Sequence, residues 1–130
     1  MSFLSKLFKR GGADDEGEDD PIHLDQDLRR RQLLRLEKAL DQLADGMRSV
    51  ESLDNPGWRV RVNEYTRLAG EAMTVRRGEI TREGVLDLVF AIRPVFSGHA
   101  PDGFEQLIPL QDAVLAAAEE LRVLAPSERG

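Results

Sequence analysis

The sequence predicts an all-α fold: an antiparallel helical bundle of about four helices, carried behind a disordered acidic N-terminal tether and a short amphipathic tip. Three observations predict it. Leu33, Leu36, Leu40, Leu43, Met47 and Val50 recur at spacings of 3, 4, 3, 4 and 3, which marks one face of a helix. Leu107, Leu110, Val114, Ala117, Leu121 and Leu124 repeat those spacings later in the chain. Between the two stripes the breaks are brief, at Asn55-Pro56-Gly57, at Gly78 and at Ser97–Gly103. Short connections make successive helices run in opposite directions.

The first helix is expected from about Leu24 to Leu53, roughly 45 Å at 1.5 Å per residue. In its heptad register the flanking e and g positions are Glu37, Ala39, Ala44 and Gly46. Small residues there suit close packing inside a bundle, whereas an isolated coiled coil usually carries charge at those positions. Core packing is therefore the expected role of the stripe, and homodimerisation through it is the alternative. Asn55 can cap a second helix, and Pro56 suits its first turn. That helix is expected from Pro56 to Arg77, with Trp58, Val62, Tyr65, Ala69, Ala72 and Met73 on one face. Arg76 and Arg77 favour its negative end, and Gly78 is expected to supply a left-handed stop. The alternation Trp58-Arg59-Val60-Arg61-Val62 also fits a short strand, but it has no partner strand.

Thr81 is expected to cap a third helix over 82–96. Val85, Leu86, Leu88, Val89, Phe90 and Ile92 cover most of its circumference, so it should be the most buried element. A last helical region is expected over 102–125, with Pro109 marking a kink or a fresh start. The bundle domain thus spans 23–126, and 127–130 reads as a disordered tail.

Bulk properties narrow the function. The chain has 130 residues, enough for one domain. Aromatics are only 5%, so aliphatic side chains must do most of the packing. The net charge is −6, of which Asp14, Asp15, Glu16, Glu18, Asp19 and Asp20 contribute −6 and Lys6, Lys9 and Arg10 contribute +3, leaving −3 for residues 21–130. An acidic body disfavours nucleic-acid binding, which rests on phosphate neutralisation; Arg29–Arg31 and Arg76–Arg77 are the residues that would have to carry it. There is no cysteine, so disulfides and thiol chemistry are excluded. No apolar run reaches membrane-span length, the start does not read as a signal peptide, and Ser2 does not invite myristoylation. The expected location is cytoplasmic, with peripheral membrane contact as an extension.

Catalytic and metal patterns are weak. Ser97, His99 and Asp102 are triad residue types, but they crowd one Gly/Pro-bounded loop and read as a polar turn. No Glu-x-x-His pair, calcium-loop spacing or phosphate-binding glycine motif is present. Neither metal nor cofactor is expected, and the protein reads as no enzyme. Glu64 and Glu71 are expected on a solvated face near Arg67. Arg29, Arg30, Arg31 and Arg35 form a basic start to the first helix. That cluster could contact phosphate, an acidic partner or the neighbouring acidic tether, or simply face solvent. Trp58, Tyr65, Met73 and Phe90 could line a ligand pocket between helices, although core packing is the favoured reading of them.

The strongest lead lies at residues 1–10. In a helix, Phe3, Leu4, Leu7 and Phe8 share a face, and Ser5, Lys6, Lys9 and Arg10 fill the rest. This is the pattern of an interfacial or groove-binding helix, too short to be stable alone in water. Residues 11–22 are rich in Gly, Asp and Glu, which predicts a disordered, charge-extended linker. The layout of tip, acidic linker and body resembles that of SepF-type division proteins. The likeness covers the layout alone, because their bodies mix strands with helices, and it implies no function. The sequence thus predicts a non-enzymatic adaptor or interaction protein, docking a membrane surface or a protein partner through residues 2–10, with homo-oligomer formation open. A ligand-sensing or regulatory bundle is the alternative.

Overall fold

The computed structural model of the protein describes residues 23–129. The expected tip at 1–10 and linker at 11–22 lie outside the described residues, as does Gly130. The described chain is all-α. It comprises α1 (Gln26–Val50), α2 (Pro56–Arg77), α3 (Arg82–Phe90) and α4 (Leu107–Arg122), then a 3-10 turn at Pro126–Glu128. The Trp58–Val62 stretch is helical, so its period-two alternation reflects only the order of side chains around a helix end.

α1 is the hub. Asp25 caps it, its side chain accepting from Leu28 N at 3.1 Å. Leu33, Leu36, Leu40, Leu43 and Met47 of the stripe are wholly enclosed by the rest of the chain, which leaves them no surface for a second copy. Burial of each such side chain contributes about 1.5–3 kcal/mol. Glu37 pairs with Arg76 of α2 at 2.8 Å. Arg48 donates to Thr66 at 2.8 Å, and Trp58 Nε1 donates to Met47 O at 2.9 Å. On the other side Arg35 pairs with Glu120 of α4. Ala39 and Ala44 are buried, and a Cβ added to Gly46 would lie 2.6 Å from Leu110 Cδ1. The small flanking residues let α4 approach closely. α3 packs across α2 and α4.

Helix ends differ from expectation for local reasons. α1 stops at Val50 rather than Leu53. Ser52 Oγ accepts Asp54 N at 3.0 Å, and Ser52 O accepts Asn55 N at 3.2 Å, bonds that compete with a further helical turn. Asn55 accepts from Trp58 N at 3.4 Å, the expected cap for α2. Gly78 is not left-handed: its φ of −101° and ψ of −166° are extended. The chain runs out straight there to bury Ile80, whose N–H and C=O both bond the Gln26 side-chain amide at 2.9 Å. Thr81 caps α3 through Gly84 N at 3.1 Å, as expected.

α3 ends at Phe90 rather than 96, because Pro94 steers Arg93 away from helical geometry. It is also not the most buried element. Phe90 is 69% exposed, and Val85, Leu88 and Val89 alone in the helix are buried. The segment that follows is anchored by aromatic rings. Phe104 meets Trp58 and Phe96 edge-on, at centroid distances of 5.4 and 6.3 Å. Gly103, at φ +90°, interrupts the turns there, so α4 starts at Leu107 rather than 102. Pro109 then falls in the first turn of α4, where its missing N–H has no intrahelical acceptor to lose, and it marks a fresh start. The expected disordered tail is likewise corrected over 127–129: Glu128 is only 3% exposed.

Candidate functional site

The docking residues read from the sequence, Phe3, Leu4, Lys6, Leu7, Phe8, Lys9 and Arg10, lie outside the described residues. The basic start of α1 lies within them, and the structure divides it. Arg29 is buried, and its side chain and that of Glu128 are both at 0% exposure. Its Nε donates to Glu128 Oε2 at 2.8 Å, and Nη2 donates to the other carboxylate oxygen. The remaining N–H groups reach Gln32 Oε1 at 2.9 Å, Leu121 O at 3.1 Å and Val123 O at 2.9 Å. Arg29 therefore closes the carbonyl end of α4 and holds the C-terminal turn against α1. It is not available as a surface contact, because taking it out of this cage would strand a carboxylate and several carbonyls.

Glu128 is matched to that role. Its carboxylate also accepts Asp25 N at 2.7 Å and Ala125 N at 2.9 Å. The Arg29 guanidinium, helped by those two backbone N–H groups and opposed by burial, holds the carboxyl at about 2, well below its ordinary 4.5. Arg35 is tied to Glu120 on the rim of α4, and Arg31 is exposed.

Arg30 takes a different direction. It lines an open cleft of about 850 Å³ between the start of α1 and the α2–α3 turn, together with His23, Arg77, Gly78, Glu79 and Arg82. Three elements supply its cations: α1 gives Arg30, the last turn of α2 gives Arg77, and the first turn of α3 gives Arg82. The Gln26–Ile80 amide pairing brings these elements together. Arg30 donates to Gly78 O at 3.5 Å, and its contact with Asp27, which is 88% exposed, is loose at 3.9 Å. Arg82 donates to Arg122 O at 3.0 Å, while its Nη1 is enclosed and has no partner among the described residues. Arg77 forms no ion pair among the described residues. Sequence reasoning flagged Arg30 and Arg77 separately and missed Arg82, since nothing local says that residues so far apart meet.

The four residues considered for a ligand pocket are not gathered. Met73 lies fifteen positions beyond Trp58 on α2, about 22 Å of rise. Trp58 packs on Phe104. Tyr65 is wholly buried and its hydroxyl donates to Arg93 O; burial raises its pKa. Phe90 faces outward. Ser97, His99 and Asp102 are all exposed in the α3–α4 connection. Glu64 and Glu71 pair with Arg93 and Arg67. Among the described residues no three His, Asp or Glu side chains converge as a metal-binding group would require. No described helix is long and apolar enough to cross a membrane. Compared with protein-family models, with curated proteins and with solved structures, the chain matches no family, no curated protein and no solved fold.

Proposed function

We propose that the protein is a non-enzymatic helical adaptor, an antiparallel bundle that docks reversibly through residues 2–10 on a membrane surface or a larger protein, at the periphery of the cytoplasm. The antiparallel reading is supported by pairings that run in opposite directions: Gln26 with Ile80 and Met47 with Trp58 on one side, Arg35 with Glu120 and Gly46 with Leu110 on the other. The observation that carries the functional reading is the tip itself. Phe3, Leu4, Leu7 and Phe8 form one apolar face beside Lys6, Lys9 and Arg10, set apart from the body by an acidic stretch.

Magnitudes make the docking weak. Four apolar side chains supply at most about 1.5–3 kcal/mol each, and each basic group adds about 1 kcal/mol near anionic lipid. Ordering the backbone costs about 1–2 kcal/mol per residue, so the balance is small and the contact reversible. Removing residues 1–12 tests it. The truncated chain should keep its helical circular dichroism but lose co-sedimentation with anionic vesicles or co-purification with its protein target. Reversing Lys6, Lys9 and Arg10 separates the two targets, since lipid binding should suffer more than protein binding. Unchanged binding and unchanged localisation after the truncation would refute the reading.

A further inference from the structure

We propose that the cleft carrying Arg30, Arg77 and Arg82 is the seat of the chain's own acidic segment, Asp14–Asp20. This goes beyond the docking reading and does not depend on which target the tip meets.

Three observations converge on that occupant. The first is charge. Arginines from three helices line one opening, and Glu79 is the one carboxylate in its wall among the described residues. Arg30 holds Asp27 only at 3.9 Å, and the exposed Arg77 forms no ion pair among the described residues. The second is position. The described chain starts at His23, in the wall of the cleft. Asp19 and Asp20 precede it by four and three residues, so they cannot lie more than about 14 Å from it at 3.3–3.6 Å per residue. Such short tethering sets an effective concentration in the millimolar range, enough to populate contacts too weak to form between separate molecules. The third is shape. Open space lies over Gly78, where an added Cβ would meet nothing within 4 Å, so an extended strand can pass over the turn. Planar guanidinium forks match carboxylates two bonds at a time, and six carboxylates in seven residues offer many interchangeable registers.

Seating this segment has a consequence for the tip. The acidic stretch would otherwise be repelled by an anionic surface. Paired with the cleft, it presents less charge, and the free length between body and tip shortens to the residues around Gly11–Ala13. Competing anions or high salt would lengthen it again.

The absence of cysteine from the chain allows a clean test. A nitroxide on Gly17→Cys in the full-length protein reports its surroundings through broadening of backbone amide resonances. At low salt, the amides of Gly78–Arg82 should broaden more than amides equally close to His23 on the opposite side of α1. Each exposed ion pair removed by Arg30→Gln or Arg77→Gln should reduce that excess by about 1.5- to 5-fold. Salt at ~1 M, where the screening length is ~3 Å, should abolish it. Replacing the six carboxylates with Asn and Gln should do the same without altering any described residue, which keeps the test sound if an arginine variant is poorly folded. Broadening spread evenly around His23, or an excess that survives both salt and tether neutralisation, would show that simple proximity is at work and overturn the proposal.

Discussion

Glu128→Ala should be among the most damaging single substitutions on the polar side of this protein, although it lies two residues before the last one of the sequence. It removes a carboxylate that accepts from Arg29, Asp25 N and Ala125 N, and it leaves Arg29 charged at 0% side-chain exposure. Breaking a buried pair from one side costs about 3–5 kcal/mol, a large share of the roughly 5–15 kcal/mol that holds a domain folded. The titration of the same group gives a separate figure. A carboxyl held at about 2 rather than 4.5 corresponds to roughly 3 kcal/mol of linkage. The sign follows from the depressed value: this stability is fully present above about pH 4.5 and is lost as pH falls towards 2. Urea unfolding followed by circular dichroism at pH 7 should show a midpoint lowered by about 1–5 M, given slopes of about 1–3 kcal/mol per M. Glu128→Gln should flatten the acid limb of the stability curve. Arg29→Met combined with Glu128→Ala should cost less than the two changes added, because neither partner is then stranded. A Glu128→Ala protein within about 0.5 kcal/mol of the parent, or strictly additive changes, would refute the account of the cage.

Two further substitutions probe the packing around α1 and α3. Gly46→Leu should destabilise by about 1–3 kcal/mol through overpacking, since even a Cβ there would come within 2.6 Å of Leu110 and 3.1 Å of Leu107; a Tm unchanged from the parent would show that α1 and α4 do not approach as described. Thr81→Ala should cost about 1 kcal/mol by freeing Gly84 N from its 3.1 Å bond, and Thr81→Ser should restore most of it in the same thermal melts.

The helices were legible where period and punctuation coincide. α2 matches its expected bounds at both ends, because Asn55-Pro56 starts it and Gly78 stops it. Both leucine stripes point into the core for the reason their spacing implies. Two of the misreadings, at Gly78 and at Glu128, depended on a contact distant in sequence, whereas that at Phe90 had a local cause. Gly78 fitted a left-handed stop, but burying Ile80 against Gln26 across 54 positions needs an extended path. Phe90 looked like core until Pro94 shortened the helix and left the ring outside. Glu128 looked like loose tail because its partner lies 99 residues away, and charged residues carry no hydropathy signal when they are buried as a pair.

The run Arg29-Arg30-Arg31 shows why the candidate site could be only half read. In sequence the three residues are one basic patch. On a helix each successive side chain turns by about 100°, so three neighbours face three environments. Arg29 turns inward and is consumed by Glu128 and the α4 carbonyls. Arg31 turns to solvent. Arg30 alone reaches the cleft, where it meets Arg77 and Arg82 from other helices. The real basic surface is therefore not the run but an assembly of single arginines from three elements. Its sign is opposite to that of the most acidic stretch of the sequence. A sequence stretch of like charge on a helix is a pool from which the fold draws single members, and the member drawn into the core here is the one that holds the C-terminal turn against the start of α1.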